Sequence, residues 1–284
     1  MRTEQTSCAR RPAVPEAVVA AAAHRLATAA STRVTCPPLR DLIDPEDVGA
    51  AYRIQERFNA IRAGTTAVVG RKIGATSQAV QSQLGVDQPD FGVLFADMQF
   101  HDRDLLPMDR LLQPKAEAEI AFMLGADLAE GPLDLAQCRA AVGYAVAAVE
   151  IVDSRITDWD ISFADTVADN ASSGLYVLGA RRLTLAEFEP VDVVMELRVD
   201  GEPVSSGNGA ACLGDPLNAL AWLARRAREF GDPLRAGQVI LSGALGPVRP
   251  VGEGSTVEAT LSQLGTVSAT FTLASTDRQQ EIQT

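Results

Sequence analysis

Two segments near the start of the chain have helical patterns of apolar residues. The alanine-rich run from Glu16 to about Ala30 has the composition of a helix. Asp44-Pro45-Glu46 is typical of a helix start, and apolar residues follow it at helical spacing until Gly64. We therefore predict two helices that form a small N-terminal layer.

Strand patterns dominate the rest of the chain. Residues 116–124 alternate between two faces, as the residues of a half-buried strand do. The β-branched run 191–199 leads into Asp200-Gly201, a strong signal for a hairpin turn. A second hairpin is predicted from the alternating runs 257–261 and 267–271, which flank Leu264-Gly265.

One later segment favours a helix between these hairpins. Asp215 suits the N-cap, Pro216 the first turn and Gly231 the end. Its apolar stripe consists of Leu217, Leu220, Ala221, Ala224 and Ala227. Many strands with few intervening helices predict an α+β fold with a curved or barrel-like mixed sheet, not a doubly wound one.

The pattern divides the chain into four parts. We predict a disordered tail at 1–14, a helical N-terminal part at 15–66, a β-rich domain at 67–275 and a C-terminal tail at 276–284.

The formal charge of −12 makes the protein as a whole repel phosphate backbones, so nucleic acid is not an expected partner. No apolar stretch is long enough to cross a bilayer. The four cysteines form no CxxC pair, and the N-terminus does not suit a signal peptide. We therefore expect a cytoplasmic protein without membrane contact.

Three glutamates stand where unpaired charge is unfavourable. Glu117 and Glu119 project from one face of the strand predicted at 116–124, while Ala118, Ile120 and Phe122 pack into a core. Glu150 lies in an apolar run without another charge from 143 to 152. A hard divalent cation would compensate three such carboxylates, and Mg²⁺ and Mn²⁺ prefer oxygen ligands. The alternative is an exposed acidic stripe, with Glu150 paired to an arginine.

Lys72 and Asp90 form a second candidate pair. Lys72 stands between Gly70 and Gly74, which let the backbone approach a ligand closely, and a partly buried lysine can transfer protons. Lys72 can also be a surface residue beside a turn. Asp90 lies between Pro89 and Phe91-Gly92 and can be no more than a turn residue.

Other chemistries lack the residues they need. The chain has no G-x-S-x-G motif and two histidines, His24 and His101, of which we interpret His101 as a structural residue of the core. Its glycine-rich stretches fit neither a dinucleotide fingerprint nor a P-loop.

Six blocks of sequence stand in order between about Tyr52 and Phe271. They are Leu84-Gly-Val-Asp-Gln-Pro-Asp90-Phe-Gly, Lys115-x-Glu117-x-Glu119-Ile-Ala, Val149-Glu150-Ile-Val-Asp153-Ser-Arg155-Ile, Asp165-Thr-Val-Ala-Asp169-Asn170-Ala-Ser, Cys212-Leu-Gly-Asp-Pro-Leu-Asn218-Ala and Leu241-Ser-Gly243-Ala-Leu-Gly-Pro. Together they resemble the 2-keto-4-pentenoate hydratases of the fumarylacetoacetate hydrolase superfamily.

The resemblance implies a fumarylacetoacetate-hydrolase-like mixed β-sheet roll with a small helical N-terminal part. It implies that Glu117, Glu119 and Glu150 bind Mg²⁺ or Mn²⁺ and that Lys72 and Asp90 move protons. It also implies a homo-oligomer, built as a pentamer or decamer. The sequence leaves open whether the activity serves aromatic-compound catabolism or biosynthesis.

The implied reaction is a hydro-lyase reaction on a small 2-oxo or 2-hydroxydienoic acid. Water would add at C4 of 2-hydroxypenta-2,4-dienoate, after ketonisation, to give 4-hydroxy-2-oxopentanoate. The bound metal would act as a Lewis acid and disfavour the charged form of Lys72. One departure from the family is Ala75, where relatives often carry leucine, and this widens the expected pocket.

Other functions remain open at this point. A 2-oxohex-3-enedioate (4-oxalocrotonate) decarboxylase shares the implied fold and metal ligands but needs a cation for a second carboxylate, for which Arg71, Arg155 and Arg249 are candidates. Hydrolysis of an acylpyruvate usually needs a water-activating histidine or acidic dyad, and we find no suitable histidine. A non-catalytic partner subunit of such a complex is the last alternative.

Overall fold

The computed structural model describes residues 13–77, 81 and 86–273. Most of the predicted tail at 1–14 and all of the predicted tail at 276–284 lie outside these residues, as do Leu84-Gly85 of the first sequence block. Among the described residues, no helix has the length and hydropathy that a membrane span requires.

Two helices form the N-terminal layer, α1 (Glu16–Thr32) and α2 (Val48–Ala63). Helix α2 begins later than the sequence predicted, because the Asp47 side chain accepts a hydrogen bond from the Ala50 backbone and so acts as the N-cap. Gln55 ties this layer to the rest of the protein, since its buried amide donates to the carbonyl oxygens of Phe91 and Val167.

The larger of two sheets has eight strands among the described residues and mixes parallel with antiparallel pairs. Its strands, in spatial order, are β2 (Asp90–Phe95), β1 (Val68–Gly74), β10 (Val239–Leu241), β5 (Lys115–Leu124), β6 (Val142–Val152), β7 (Ser173–Leu178) and β3 (Gln99–His101), while β11 (Arg249–Pro250) also pairs with β5.

The second sheet has five strands in the described part of the chain. They are ordered β4 (Leu105–Leu106), β13 (Gly265–Phe271), β12 (Thr256–Leu261), β8 (Val194–Val199) and β9 (Glu202–Asn208). Both predicted hairpins, β8–β9 and β12–β13, are confirmed. Strand β8 begins at Val194 instead of Val191, because Pro190–Asp192 form a 3₁₀ turn before it.

The main core contains residues from both sheets. Ala118, Ile120 and Phe122 of β5 are buried there, together with Val257 of β12 and Val267 of β13. The α+β fold predicted from the strand patterns is therefore confirmed, and it leaves the opposite face of β5 free to carry charged groups.

Three further helices complete the described chain, α3 (Leu135–Ala141), α4 (Phe163–Ala168) and α5 (Pro216–Glu229). Helix α5 starts as predicted, with the Asp215 side chain accepting from the Leu217 backbone, and Gly231 follows it in a left-handed conformation. All five residues of its predicted apolar stripe are buried.

A buried ion pair joins the end of β6 to the residue after α4. Arg155 donates to the Asp169 carboxylate through its side chain and backbone, and its guanidinium also donates to the carbonyl oxygens of Ser173 and Asp169. Both side chains are almost wholly buried. Arg155 was a candidate cation for a second substrate carboxylate, but its guanidinium already binds protein groups.

Replacing Arg155 with leucine is expected to lower the free energy of unfolding by about 3–5 kcal/mol, because Asp169 would become an uncompensated buried charge. Urea unfolding measures the change. The control is Arg235→Leu, which breaks an exposed pair with Asp127 and should change the same quantity by less than about 1 kcal/mol. Similar losses for both variants would contradict the assignment.

Candidate active site

Strand pairing brings the three candidate glutamates together. Glu117 and Glu119 share one face of β5, and Glu150 of β6 lies directly opposite Glu117 in the antiparallel register. Carboxylate oxygens of the three lie within 4.8 Å of one another. Glu119 and Glu150 are buried and Glu117 is half-buried, so the alternative of an exposed acidic stripe is wrong.

The cluster contains more acceptor atoms than the protein satisfies. The Gly243 backbone N–H donates to Glu119 Oε2 at 2.7 Å. The other Glu119 oxygen and both Glu150 oxygens make no hydrogen bond among the described residues, and Glu150 Oε1 has an ion-pair contact with Lys72 instead. Buried carboxylate oxygens without donors suit a divalent cation, and these three residues form a group that can hold one.

Gly243 is required by its surroundings. Its φ is +107°, and a Cβ atom there would lie 2.4 Å from the side chain of Thr76. Any larger residue would move the N–H that orients Glu119. The sequence pointed to Gly243 only within the last block of the family resemblance.

Lys72 reaches the same cluster from β1. Its buried ammonium Nζ lies 3.2 Å from Glu150 Oε1. Glu150 is therefore paired with a lysine and not with an arginine. The alternative that Lys72 is a surface residue beside a turn is wrong.

The glycines on either side of Lys72 make room for protein groups. A Cβ on Gly70 would lie 2.0 Å from the carbonyl oxygen of Val239, and a Cβ on Gly74 would lie 2.2 Å from Asp90 Oδ1. The groups that approach these glycines closely are protein groups of β10 and Asp90, and the predicted approach to a ligand stays a prediction.

Asp90 is the first residue of β2, opposite Gly74 of β1. It is buried, and its Oδ1 atom has no hydrogen-bond partner in the described part of the chain. An unpaired, buried carboxylate oxygen is not the environment of a turn residue, so Asp90 belongs with the charged cluster.

Burial and mutual repulsion shift the pKa values of these groups. Burial and then the charge of Glu150 raise the pKa of Glu117 to about 7, and the same causes raise that of Glu119 well above its usual value. Burial also raises the pKa of Asp90, although Lys72 opposes this shift. Two or more carboxyls in the cluster therefore hold protons more tightly than free glutamate does.

The pKa of Lys72 is raised by the protein, whereas a bound metal is expected to lower it. Burial acts to lower its pKa, but the negative charges of Glu150, Glu117, Asp90 and Glu119 outweigh burial, and the pKa is raised. The carboxylates thus stabilise the ammonium form of Lys72.

Three of these charged groups line one cleft of about 290 Å³. Lys72, Asp90 and Glu117 lie on its wall, and Ala75 lies beside them at the pocket, where the resemblance implied it. The remaining wall is largely apolar and includes Val152, Ile161, Ala171, Ala244 and Val248. The cleft therefore fits a small anionic molecule with an apolar part.

Four further polar residues of the cleft were not singled out from the sequence. Lys115 Nζ lies 3.9 Å from the centroid of the Trp159 ring, and the hydroxyls of Thr166 and Ser172 lie 3.3 Å apart. Lys115, Thr166 and Ser172 stood inside blocks quoted for the family resemblance, whereas nothing in the local pattern marked Trp159.

The backbone around the cleft adopts unfavourable conformations. Ala75, Trp159, Ala171 and Ser172 all line the cleft and have φ between +51° and +56°. Such angles are uncommon outside glycine, asparagine and aspartate and are found where packing imposes them. The cleft wall is therefore held by tertiary contacts.

None of the three candidate arginines is among the residues that line the cleft. Arg71 pairs with Asp232, Arg155 pairs with Asp169, and exposed Arg249 donates to the carbonyl oxygen of Val204. Both histidines are exposed, so the prediction that His101 is a core residue is wrong; it ends β3.

Comparison with known proteins identifies the family. The model of the fumarylacetoacetate (FAA) hydrolase C-terminal domain matches residues 67–272. The chain belongs to the fumarylacetoacetate hydrolase family. A 2-keto-4-pentenoate hydratase of Burkholderia vietnamiensis (strain G4 / LMG 22486) is 53% identical over 255 residues, covering 89% of this chain and 97% of that protein.

Two further relatives bear on the reaction. A 2-keto-4-pentenoate hydratase of Paraburkholderia phymatum (strain DSM 17167 / CIP 108236 / LMG 21445 / STM815) is 52% identical over 250 residues, covering 88% of this chain and 95% of that protein. The solved structure of 4-oxalocrotonate decarboxylase from Pseudomonas putida G7, complexed with magnesium and adipate, has a TM-score of 0.87 and 31% identity, covering 92% of this chain and 100% of that chain.

Glu150→Gln is expected to abolish detectable Mg²⁺ binding while the protein stays folded, because the amide removes one charged ligand without changing the shape of the side chain. Calorimetric titration with Mg²⁺ and circular dichroism check the two parts. The matched control is Glu258→Gln, at an exposed position of β12. Wild-type Mg²⁺ affinity in Glu150→Gln would rule out the proposed ligand set.

Metal affinity should rise with pH. The carboxyls of Glu117 and Glu119 have raised pKa values, that of Glu117 about 7, so below neutral pH protons compete with the cation. We expect the Mg²⁺ affinity to increase between pH 6 and pH 8, by up to about tenfold per pH unit for each proton released. Titrations in buffers of different ionisation enthalpy count those protons, and a pH-independent affinity without proton release would contradict the prediction.

Proposed function

We propose that the protein is a hydro-lyase of the 2-keto-4-pentenoate hydratase type, which adds water to 2-hydroxypenta-2,4-dienoate and forms 4-hydroxy-2-oxopentanoate. The observation that carries this proposal is the cluster of three glutamates with the Lys72 ammonium beside Glu150, of which Glu117 and Lys72 line one small cleft together with Asp90. Two relatives that are 53% and 52% identical over most of the chain are named 2-keto-4-pentenoate hydratases.

In this proposal the three glutamates hold Mg²⁺ or Mn²⁺. Their unsatisfied oxygens supply the hard ligands that both ions prefer. When bound, the ion supplies Lewis acidity toward a carboxylate and an adjacent oxygen of the substrate. Gly243, in the segment after β10, and Lys72 of β1 hold Glu119 and Glu150 in place through one contact each.

The protein's own residues move the protons. The dienol ketonises when its C2 hydroxyl loses a proton and C5 gains one, which leaves a 2-oxo-3-enoate with an electrophilic C4. The oxygen of water then bonds to C4 and keeps one hydrogen as the new hydroxyl, while C3 gains one proton. The product is the 4-hydroxy-2-oxo acid.

We assign the proton donor and acceptor from their environments. Lys72, whose Nζ lies 3.2 Å from Glu150 Oε1 and which lines the cleft, is the donor to carbon. Asp90 Oδ1, which has no partner among the described residues, accepts a proton from the attacking water. The hydroxyls of Thr166 and Ser172 face the same cleft and can hold this water by hydrogen bonds.

The test follows the ultraviolet absorbance of freshly generated 2-hydroxypenta-2,4-dienoate with and without Mg²⁺ or Mn²⁺. We expect metal-dependent loss of the dienol band with 4-hydroxy-2-oxopentanoate as the product. Asp90→Asn should lower kcat by about 100-fold or more, since general acid–base groups contribute that much. Asp87→Asn, an exposed neighbour, is the matched control and should keep wild-type kcat. Loss of the band at the spontaneous rate alone would refute the hydratase.

The second candidate is a decarboxylase of 2-oxohex-3-enedioate. Its support is the likeness to 4-oxalocrotonate decarboxylase and the presence of a cation, Lys115, at the cleft. The absence of arginines from the described lining weighs against it. Release of CO₂ from the diacid, at a rate above that of dienoate hydration, would favour this candidate.

A homo-oligomer, as a pentamer or decamer in a cytoplasmic location, also remains a proposal. Its structural support is a half-buried apolar surface on the larger sheet, formed by Val69, Val93, Met123, Tyr144 and Leu178. Light scattering on the purified protein measures the mass directly.

A further inference from the structure

The chain uses lysine very sparingly. Of its 25 basic residues 23 are arginines, and Lys72 and Lys115 are its two lysines. Both line the candidate active-site cleft. Arginine occupies all the remaining basic positions, and the compact ammonium group of lysine stands only at these two. The planar guanidinium of arginine would present a larger and differently shaped donor there.

The two lysines approach the carboxylates from opposite ends. In the sheet register Lys72 is level with Leu241 of β10, and Leu241 is level with Ala121 of β5. Lys115 stands six residues before Ala121 on β5 and two residues, about 7 Å of extended strand, before Glu117, whose partner Glu150 contacts the Lys72 ammonium. Glu119 and Glu117 lie between these two levels on the same strand face as Lys115.

Trp159 holds the Lys115 side chain in position. The ammonium lies 3.9 Å from the ring centroid, within the range of a cation–π contact. The indole Nε1 donates to the carbonyl oxygen of Gln113 at 3.0 Å, and the Gln113 side-chain oxygen accepts from the backbone N–H of Asp158 at 2.8 Å.

The backbone that carries Trp159 is strained. Asp158 and Trp159 have φ of +58° and +56°, an unfavourable conformation for a bulky residue. Gln113, two residues before Lys115, holds this turn through the two hydrogen bonds. The strand that carries the carboxylates and the turn that carries the indole are therefore joined at the point where Lys115 enters the cleft.

No carboxylate lies within ion-pair distance of Lys115 among the described residues. Its positive charge faces the cleft with a ring as its neighbour and donors left free. A half-buried ammonium without a counter-ion suits an anionic group that arrives with a ligand.

We propose that Lys115, held by Trp159, is the binding residue for the C1 carboxylate of the substrate. This inference rests on the proposed function, because it is the reaction that requires C3 to C5 to lie beside Lys72 and Asp90. With the reacting carbons at that end, the C1 carboxylate lies at the Lys115 end. The substrate class is then a 2-oxo or 2-hydroxydienoic monoacid whose short apolar tail contacts Ala75 and the apolar wall.

The inference is tested by binding, without turnover. The probes are 2-oxopentanoate, a saturated monoacid that cannot be hydrated, and 2-oxohexanedioate, which has a second carboxylate. Calorimetry measures their affinities with Mg²⁺ present, for the wild type, Lys115→Met and Lys115→Arg. The matched control is Arg249→Met, which removes an exposed positive charge from β11, paired with β5 beside Lys115.

We expect Lys115→Met to lower the affinity for 2-oxopentanoate by about ten- to hundredfold, which corresponds to the loss of a charge-assisted hydrogen bond. Lys115→Arg should recover part of this loss, and Arg249→Met should bind like the wild type. The affinity for Mg²⁺ alone should be kept in Lys115→Met. Wild-type affinity for 2-oxopentanoate in Lys115→Met, or weakening confined to the diacid, would overturn the proposal, as would loss of Mg²⁺ binding.

A chemical readout is independent of affinity. With two lysines in the chain, acetylation by an N-hydroxysuccinimide ester can be followed at Lys115 by peptide mass spectrometry. We expect Mg²⁺ with 2-oxopentanoate to slow acetylation of Lys115, and equal rates with and without the probe would contradict the contact. A failure of the proposed reaction can be told apart from a failure of the Lys115 contact. If the wild-type protein binds the probe through Lys115 but leaves the dienol unchanged, only the proposed reaction is refuted.

Discussion

Repulsion among buried carboxylates is the constraint on which this structure depends. Glu117, Glu119 and Glu150 lie within 4.8 Å of one another, two of them fully buried, and the protein supplies one backbone N–H and one ammonium to the group. Such an arrangement is unfavourable unless protons or a cation compensate it. The raised pKa values of Glu117 and Glu119 are the protein's response to this repulsion, and metal binding would replace those protons by a divalent charge.

The scaffold supports the cluster by dividing the two faces of one strand pair. On β5 the apolar residues face the core between the sheets, while the glutamates face the cleft, so a single register determines both. Neighbouring strands then add what the pair lacks. Strand β1 brings Lys72, β2 brings Asp90, and the segment after β10 brings the Gly243 N–H. The rigid sheet, and not a loop, therefore positions most of the charged groups.

The wall of the cleft contains locally unfavourable backbone conformations. Ala75, Trp159, Ala171 and Ser172 adopt left-handed backbone angles, and Gly243 and Gly74 leave no room for a Cβ. These positions are locally unfavourable and are stabilised by packing elsewhere, as is usual where a protein shapes a site. The buried Arg155–Asp169 pair anchors the same region from behind, between the end of β6 and the start of β7.

The sequence by itself determined the two N-terminal helices, strand β5, the two hairpins, helix α5, the fold class and the central chemistry. Alternation on β5, turn residues at Asp200-Gly201 and capping at Asp215 act over a few residues, so they can be read locally. The isolated charge of Glu150 identified a buried site, and the ordered blocks identified the family.

Only the tertiary structure decided how distant groups meet. The pairing of Glu150 with Lys72, the burial of Asp90, the use of Arg155 by Asp169 and the contact of Lys115 with Trp159 all join separate elements. No local pattern records which strands become neighbours or which polar atoms lose their water, because both depend on the closing of the whole sheet around one core.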